Sequence, residues 1–351
     1  MRLAEIASKT LRPAVAALGV AYPLSLAMAA ALLRWVGERW WVTAEALYLP
    51  AVGFAAPLPF VAGALVALRI RRLLVLQTVS AALLLFPLMG FVLPGRGVGD
   101  PRRPTIRVLS FNTNSDSGGT EAVVAEIDRH SPDVVLLQET GDQEALGHLL
   151  RERYPTVKVS TQFVMASRYP LVSEEDPPRI TYDERPRSAR FYKIVLDTPV
   201  GRVTFYDVHP VSPRLALFAI RGSQGLLHEI ESGRFFEGAA APMIRENAGL
   251  RRLQVQAFAE AAGRESNPVV VAGDTNLPSL SPLLHAQLSR FEDGFVEAGW
   301  GFGYTFPTDK GRPWMRIDRI MASEQLRFTH FEVGESTVSD HRCVVADLQL
   351  R

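Results

Sequence analysis

The distribution of hydrophobic and polar positions changes sharply near residue 104. Three long uncharged stretches come first, Pro13 to Leu33, Ala46 to Leu68 and Leu73 to Pro94, with 21, 23 and 22 residues. Each is long enough to cross a hydrocarbon core of about 30 Å as a helix. The pattern therefore predicts a region of three transmembrane helices over residues 1–94. A linker rich in glycine, proline and arginine follows at 95–104.

A cleavable signal peptide followed by buried helices of a soluble domain is the alternative interpretation. The apolar region of a signal peptide has only about 7–15 residues. All three stretches are longer than that, and they follow one another in series. The membrane interpretation is favoured for this reason.

Basic residues beside the stretches predict the orientation, because cytoplasmic flanks carry an excess of arginine and lysine. Six basic residues precede the first stretch or join the second to the third: Arg2, Lys9, Arg12, Arg69, Arg71 and Arg72. The other loop has only Arg34 and Arg39. These counts place everything after residue 94 outside the cytoplasm. Four arginines beyond the third stretch favour the opposite orientation, Arg96, Arg102, Arg103 and Arg107, but long domains translocate largely regardless of charge.

Residues 105–351 show short apolar runs of strand length that alternate with helical periodicity. Strand-like runs at Thr105–Asn114 and Asp133–Thr140 enclose a helical pattern at Glu121–His130, so the domain opens with a β-α-β unit. Further strands are predicted near 154–160, 163–166, 191–196, 202–208, 268–272, 317–322, 326–333 and 343–350, and a helix at 245–263. For residues 213–245 the sequence favours a surface helix with a loop over a rim above the active site or the membrane.

Charge, cysteine content and missing motifs narrow the functional classes. Residues 1–103 carry a net charge of +7, whereas 104–351 hold 27 basic and 33 acidic residues, a net charge of −6. A nucleic-acid-binding domain usually has a basic surface, so nucleic acid is not the favoured partner. Cys343 is the single cysteine, which excludes an intramolecular disulfide. The sequence has no GxSxG elbow, Walker loop, HExxH or CxxC motif.

Polar residues recur where predicted buried strands end. The set comprises Asn112, Glu139, His209, Asp274, Asn276, Asp318, Asp340 and His341. Burying such groups is unfavourable unless they are paired, and ligands of open α/β sheets bind outside the carboxyl ends of the strands. We therefore expect these side chains to form the functional site.

The same residues carry a resemblance to a known family. The segments Ser110–Asn112, Leu137–Glu139, Gly273–Asn276, Arg316–Asp318 and Ser339–His341, together with His209, occur in the order seen in the endonuclease/exonuclease/phosphatase superfamily. The resemblance covers residues 105–351 and implies a four-layer α/β sandwich (DNase I-like) behind the three transmembrane helices. The whole chain is similar to a bacterial subgroup whose catalytic domain is tethered to the membrane, which includes phosphatases associated with glycopeptide-antibiotic resistance.

The resemblance also implies roles for the site residues. Glu139, Asp340 and Asn112 would hold Mg²⁺ or Mn²⁺, which prefer oxygen ligands. Asp274 and Asn276 would position and polarise the attacking water. His341, oriented by Asp318, would act as general base or phosphate ligand. His209 would contact the phosphate or protonate the leaving oxygen.

These expectations define a membrane-anchored, Mg²⁺-dependent phosphoesterase at the outer face of the cytoplasmic membrane. The tether favours a lipid-linked phosphoester or pyrophosphate as substrate, with the bilayer as the second partner. An extracytoplasmic metal-dependent nuclease is the alternative enzyme, and a catalytically inactive binding module is the non-enzymatic alternative. Arg190 is a weaker candidate phosphate ligand, and for Arg251, Arg252 and Gln254 a solvated or structural helix face is favoured over a phosphate clamp.

Overall fold

The computed structural model describes residues 2–95, 97, 99–214 and 241–351. The chain divides into two compact units: Met1–Phe91 with Leu280–Pro282, and Val92–Ser279 with Leu283–Arg351. Most of the segment 213–245, for which a surface helix and loop are expected, lies outside the described residues.

The first unit is helical. Its α-helices span Arg2–Trp35, Trp41–Ala46, Pro57–Ala67 and Leu74–Leu83. Among the described residues, two helical segments are long and apolar enough to cross a membrane, Leu11–Trp35 and Arg71–Leu88. The middle stretch, expected to span at 46–68, contains a shorter apolar helical segment, Ala51–Ala67. The prediction of three spans is thus met in part, with two helices of spanning length.

The second unit contains fourteen strands among its described residues. They are β1 Ile106–Asn112, β2 Val134–Gln138, β3 Thr156–Ser160, β4 Phe163–Ser167, β5 Leu171–Glu175, β6 Arg179–Tyr182, β7 Arg185–Ser188, β8 Phe191–Thr198, β9 Gly201–Val208, β10 Val269–Asp274, β11 Glu292–Asp293, β12 Asp318–Ala322, β13 Leu326–Val333 and β14 Val344–Leu350. The α-helices of this unit are Thr120–His130, Gln143–Arg151, Ala241–Ala262, Pro282–Leu288 (which begins in the first unit) and Gly294–Ala298.

Twelve of these strands form two six-stranded sheets, and β6 pairs with β7 as a separate hairpin. The first sheet has the order β13-β14-β1-β2-β4-β3, and the second has the order β11-β12-β10-β9-β8-β5. Only β1 with β2 and β9 with β10 pair in parallel among the neighbours described. This is a mixed α/β sandwich, as the sequence predicts.

Period-2 burial explains how the sheets stack in four layers. In β1, Ile106 and Val108 belong to the core between the two sheets, whereas Leu109 and Phe111 pack under the helices on the outer face. Successive side chains of a strand point to opposite faces, so a run that is apolar at every position is buried on both. The second sheet is covered in the same way, with Phe258 of the helix Ala241–Ala262 in its outer core.

The parallel pairs bring four strand ends to the site. β1 ends at Asn112, β10 ends at Asp274, and β2 and β9 end immediately before Glu139 and His209. Because the carboxyl ends of parallel strands lie at the same edge of a sheet, each sheet contributes a pair of polar residues there.

Candidate active site

The two sheets meet at the site through a buried contact between their strand ends. Asn112 of the first sheet donates from Nδ2 to Oδ2 of Asp274 in the second sheet, at 3.2 Å. Asn276 donates to the same carboxylate oxygen from its side chain at 3.2 Å and to Oδ1 from its backbone N–H at 2.8 Å. Asp274 is only 2% exposed. These contacts satisfy a carboxylate that would otherwise be costly to bury.

His341 lies beside the same carboxylate. Its Nδ1 is 2.9 Å from Oδ2 of Asp318, and its Nε2 is 3.7 Å from Oδ2 of Asp274. Both carboxylates and the imidazole are buried. The hydrogen bond to Asp318 fixes the ring so that Nε2 points toward Asp274.

His209 forms a second imidazole–carboxylate pair. Its Nε2 is 3.0 Å from Oε1 of Glu139 and 3.6 Å from Oδ2 of Asp274. Its Nδ1 is 2.8 Å from the side-chain oxygen of Gln162, to which only a protonated Nδ1 can donate. The side chain of Glu139 is 35% exposed, whereas that of His209 is 2% exposed. Glu139, rather than His209, is therefore the member of this pair that a ligand from solvent can reach.

Unusual backbone geometry supports these positions. Glu139 and Asn276 have φ values of 48° and 51°, in the left-handed region that few residues other than glycine adopt. Gly273 has a φ of 144°, and a Cβ there would lie 2.0 Å from the carbonyl oxygen of Val208. Only glycine lets β10 pass β9 this closely while directing Asp274 into the site.

The loop with Asp340 and His341 is fastened to both the first sheet and a neighbouring loop. The Ser339 hydroxyl donates to the carbonyl oxygen of Asn112 at 2.8 Å, and the Thr308 backbone N–H donates to the carbonyl oxygen of Asp340 at 2.9 Å. The Phe306 ring lies 4.5 Å from the His341 ring, centroid to centroid. All eight residues predicted from the sequence therefore join one connected cluster.

A comparison with known protein families identifies the family of this chain. The family model described as the Endonuclease/Exonuclease/phosphatase family matches residues 109–341. The chain belongs to this family. Its members are metal-dependent phosphoester hydrolases, and this protein is an enzyme of that class.

Two solved structures with TM-scores of 0.51 agree with the family at the level of fold, and a third shows a weaker likeness. An endonuclease/exonuclease/phosphatase from Beutenbergia cavernae DSM 12333 is 19% identical, with a TM-score of 0.51, over 71% of this chain and 72% of that one. A second one, from Bacteroides vulgatus, is 16% identical, with a TM-score of 0.51, over 71% and 100%. Sphingomyelinase C from Streptomyces griseocarneus is 17% identical with a TM-score of 0.45, over 70% and 99%. No curated protein matches the sequence significantly.

The pKa values of two ionisable groups in the site are shifted in opposite directions. Burial raises the pKa of Glu139, but the hydrogen bond and charge of His209 and the charge of His341 outweigh it, and the net pKa is about 2. Burial lowers the pKa of His341, but the charges of Asp318 and Asp274 outweigh it, and the net pKa is about 10. An imidazolium at neutral pH fits the phosphate-ligand role expected of His341 better than the general-base role.

The remaining carboxylates show that the cluster holds excess negative charge. The pKa of Asp274 is raised by burial and further by Asp318, although both site histidines act to lower it. Burial also raises the pKa of Asp340, and the charge of Glu139 adds to that rise. A bound cation would relieve this repulsion.

Glu139, Asp340 and Asn112 suit a hard divalent cation, because they offer carboxylate and amide oxygens and Glu139 is partly exposed, although Oδ1 of Asn112 also accepts the Asn114 N–H at 3.0 Å. Asp274, Asp318 and His341 form a second group whose ligand atoms lie within 4.8 Å of one another. In that group, however, Nδ1 of His341 already bonds to Asp318. The first group is therefore the better fit.

The structure shows one partner that sequence reasoning missed and gives contacts for the weaker candidates. Gln162 precedes β4 and no motif marks it, yet it sets the tautomer of His209. Burial lowers the pKa of Arg190, and the charge of Glu139 opposes that effect, which places Arg190 near the site. Arg251 and Gln254 instead hold the loop after His209, since they bond to the backbone of Val211 at 2.9 and 2.7 Å. Their role there is structural, as favoured from the sequence.

Proposed function

We propose that this enzyme is a membrane-anchored, Mg²⁺-dependent phosphoesterase whose substrate is a lipid-linked phosphoester or pyrophosphate at the outer face of the cytoplasmic membrane. The observation that carries the proposal is the convergence of two oriented imidazoles and four carboxylates at the joined edges of the two sheets. Such a cluster supplies cation ligands and proton-handling groups together, which phosphoryl transfer requires.

The residues divide the chemistry among them. Glu139, Asp340 and Asn112 would hold the Mg²⁺, which would supply charge stabilisation on the phosphoryl oxygens. Asp274, held by the amides of Asn112 and Asn276, accepts a proton or hydrogen bond from the attacking water.

The two imidazoles face the same carboxylate from different sides, at 3.6 and 3.7 Å. His341 is held by Asp318 and donates to a phosphoryl oxygen. His209, oriented by Gln162, lies where it can hydrogen-bond to the leaving oxygen. A phosphoryl group bound over Asp274 would therefore contact both rings.

Membrane anchoring rests on the first unit and on the length of the linker. Large apolar side chains are exposed in the first unit, including Leu24 at 64%, Met28 at 61% and Phe60 at 78%. Such exposure suits contact with lipid rather than water. The predicted linker is not freely extended, because the Gly95 N–H donates to the carbonyl oxygen of Gly299 at 3.2 Å and the Asp100 N–H donates to Oε1 of Gln349 at 2.9 Å. Even fully extended, about ten residues reach at most about 35 Å, which favours a substrate confined to the membrane. We propose three transmembrane spans for this anchor, at about 13–33, 46–68 and 73–94.

An extracytoplasmic nuclease is the second candidate, because the family includes nucleases. The net charge of −6 over residues 104–351 disfavours it, since binding of nucleic acid depends on neutralising phosphates. An inactive binding module is disfavoured because every site residue expected of the family is present in the cluster.

A substrate panel separates these candidates. The full-length protein in detergent, with Mg²⁺, is offered a prenyl pyrophosphate, sphingomyelin, inositol phosphates, DNA and RNA at equal phosphate concentration, with Glu139→Ala as control. We expect fastest hydrolysis of a lipid-linked substrate, measured by separating the products of each substrate, and no hydrolysis by the control. Faster cleavage of DNA would establish the nuclease instead, and no hydrolysis of any substrate would support the binding module.

A protease test on intact spheroplasts addresses the topology separately. Added protease is expected to remove residues 105–351 if this domain lies outside the cytoplasm, as we propose from the basic flanks. Protection of the domain, with digestion after lysis, would reverse the orientation.

A further inference from the structure

Three side chains of metal-ligand type converge away from the active site, on the helix-covered face of the first sheet. Glu126 and His130 lie in the helix Thr120–His130, and Cys343 directly precedes β14. Glu126 and Cys343 are 2% and 1% exposed. The Sγ of Cys343 is 3.6 Å from Oε1 of Glu126 and 3.5 Å from Nε2 of His130, and these last two atoms are 3.3 Å apart.

These three distances match one face of a tetrahedral zinc site. Zinc–sulfur bonds are about 2.3 Å and bonds to nitrogen or oxygen are about 2.0–2.2 Å. At tetrahedral angles those bond lengths separate sulfur from nitrogen or oxygen by about 3.6 Å, and nitrogen from oxygen by about 3.4 Å. The observed triangle agrees with each separation to about 0.1 Å.

Neighbouring groups orient two of the three ligand atoms. Nδ1 of His130 is 2.6 Å from Oε1 of Glu332, so a proton on Nδ1 leaves the lone pair of Nε2 directed at the cluster. Arg129 donates to Oε2 of Glu126 at 2.6 Å, which turns Oε1 toward Cys343. Carboxylate–histidine pairs of this kind are the usual outer support of a metal site.

The backbone of Gly334 lies close against the triangle. A Cβ at this position would lie 2.5 Å from Sγ of Cys343, 3.1 Å from Oε1 of Glu126 and 3.5 Å from Nε2 of His130. Any side chain at residue 334 would therefore cover all three ligand atoms. Its φ lies outside the left-handed range, so the close approach rather than the backbone conformation requires glycine here.

We propose that Cys343, His130 and Glu126 bind a thiophilic divalent cation, with Zn²⁺ as the fitting ion and water as its fourth ligand. A thiolate with an imidazole favours zinc, whereas the all-oxygen set at the active site favours magnesium. Binding releases the thiol proton to solvent. The ion would fasten the helix Thr120–His130 to the segment that carries Asp340 and His341, two residues before Cys343.

The competing explanation is a metal-free network in which the Cys343 thiol donates to Glu126, and His130 pairs with Glu126 and Glu332. Both explanations require the same side chains, so a structural defect in a variant cannot distinguish them. The decisive difference is a bond between sulfur and a metal.

Cobalt substitution detects that bond, because Co²⁺ adopts zinc sites and gives an intense near-ultraviolet charge-transfer band only with a thiolate ligand. The chain has one cysteine, so any such band must arise from Cys343. Full-length protein is stripped with chelator and titrated with Co²⁺, and then with Zn²⁺. We expect a band that saturates at one equivalent and disappears as Zn²⁺ displaces Co²⁺.

Matched variants locate the signal. His130→Gln, at a partly exposed position, is expected to weaken Co²⁺ binding at least tenfold, and Gly334→Ala is expected to abolish the band. Glu139→Gln, in the active site, is expected to leave it unchanged. A folded wild-type protein without a sulfur-to-cobalt band would overturn the proposal in favour of the metal-free network. A band that survives in both His130→Gln and Gly334→Ala would overturn this ligand set.

Discussion

Replacing Asp293 by asparagine tests how the segment with Asp318 is held. Asp293 pairs with Arg316, whose Nη1 lies 2.8 and 2.7 Å from its two oxygens, and with Arg319. These arginines enclose Asp318 in the sequence, and their side chains are 7% and 0% exposed. Asparagine keeps the size of the side chain and the oxygen that accepts the Phe295 N–H at 3.0 Å. It replaces the other oxygen, which accepts from both arginines, with an NH₂ donor, so the change removes the charge and one acceptor.

The expected loss of stability is large because two buried guanidinium groups lose their shared counter-charge. Removing one partner of a buried ion pair costs about 3–5 kcal/mol. Since asparagine retains a hydrogen bond, we take the lower limit of about 3 kcal/mol. At about 2–4 °C per kcal/mol for a domain of this size, the Tm of Asp293→Asn should fall by roughly 6–12 °C.

The assay is thermal unfolding of the full-length protein in detergent, followed by differential scanning fluorimetry. Glu292→Gln is the matched control, because it removes a neighbouring carboxylate that pairs with Arg351 at the surface, where both side chains are at least 30% exposed. Surface pairs contribute about 0–1 kcal/mol. An equal fall of Tm in the two variants would refute the argument from burial.

The pH dependence provides a second check on the same pair. Burial raises the pKa of Asp293, but the charges and hydrogen bonds of Arg316 and Arg319 outweigh it, so the net pKa is lowered. A carboxylate whose pKa is lower in the folded state stabilises the fold above its unfolded pKa of about 3.9, and this contribution disappears as the pH falls through the folded value. The Tm difference between wild type and Asp293→Asn should stay constant from about pH 8 to 5 and narrow below about pH 4. A difference that grows on acidification would contradict this sign.

Three further predictions concern catalysis, each measured as initial rates on the best substrate of the panel with Tm as a check of folding. Glu139→Gln or chelation should lower activity at least about 100-fold, and Mg²⁺ should restore only the chelated enzyme; full activity in chelator would exclude the metal mechanism. Asp318→Asn should lower kcat by about 100-fold or more with little change in KM, and a pure KM effect would mean that Asp318 binds substrate instead. Gln162→Ala should lower kcat by about 10- to 100-fold because His209 loses its orientation, whereas Gln143→Ala, nearby and outside the cluster, should not.

The sequence predicts the central strands and the clustering of the candidate site residues because the same physical feature marks both. β1, β2, β9 and β10 are buried on both faces, so each appears as an apolar run that stops abruptly at a polar residue. The predicted end before His209 coincides with the end of β9, whereas the predicted run Thr105–Asn114 extends two residues beyond the end of β1 at Asn112. A polar residue at such an end must be paired or functional, and therefore the strand ends identify the site residues directly.

Strands outside the central core do not show such an apolar run in the sequence. β5 has the sequence LVSEE, and only Leu171 of its five side chains is even partly buried, so no alternation reveals it. The β6–β7 hairpin is equally polar and exposed. Gln162 could not be assigned from the sequence, because its role depends on the packing of β4 beside His209 rather than on any local pattern.

One residue in the matched motifs, Gln138, has a structural role that the sequence alone does not show. Gln138, in the segment that resembles the family, does not reach the active-site cluster; it donates to Asp207 at 2.6 Å and to Ser110 at 3.2 Å between the sheets. Burial raises the pKa of Asp207 well above its usual range. These residues join the first sheet to the second beneath the site, and so part of the motif maintains the sheet spacing on which the Asn112–Asp274 contact depends.

The active-site cluster therefore lowers the stability of the fold, whereas the packed cores of the two sheets raise it. The buried carboxylate of Asp274 is repelled by Asp318 and that of Asp340 by Glu139, and burial raises the pKa of both Asp274 and Asp340. Such a cluster persists only because the surrounding sheets are packed tightly enough to hold it. The charge of His341, whose pKa is raised to about 10, relieves part of this repulsion, and a cation bound at Glu139 would relieve more. In the proposed mechanism, the same carboxylate charge that destabilises the fold would attract the metal, and this would account for a cluster placed where the two sheets meet.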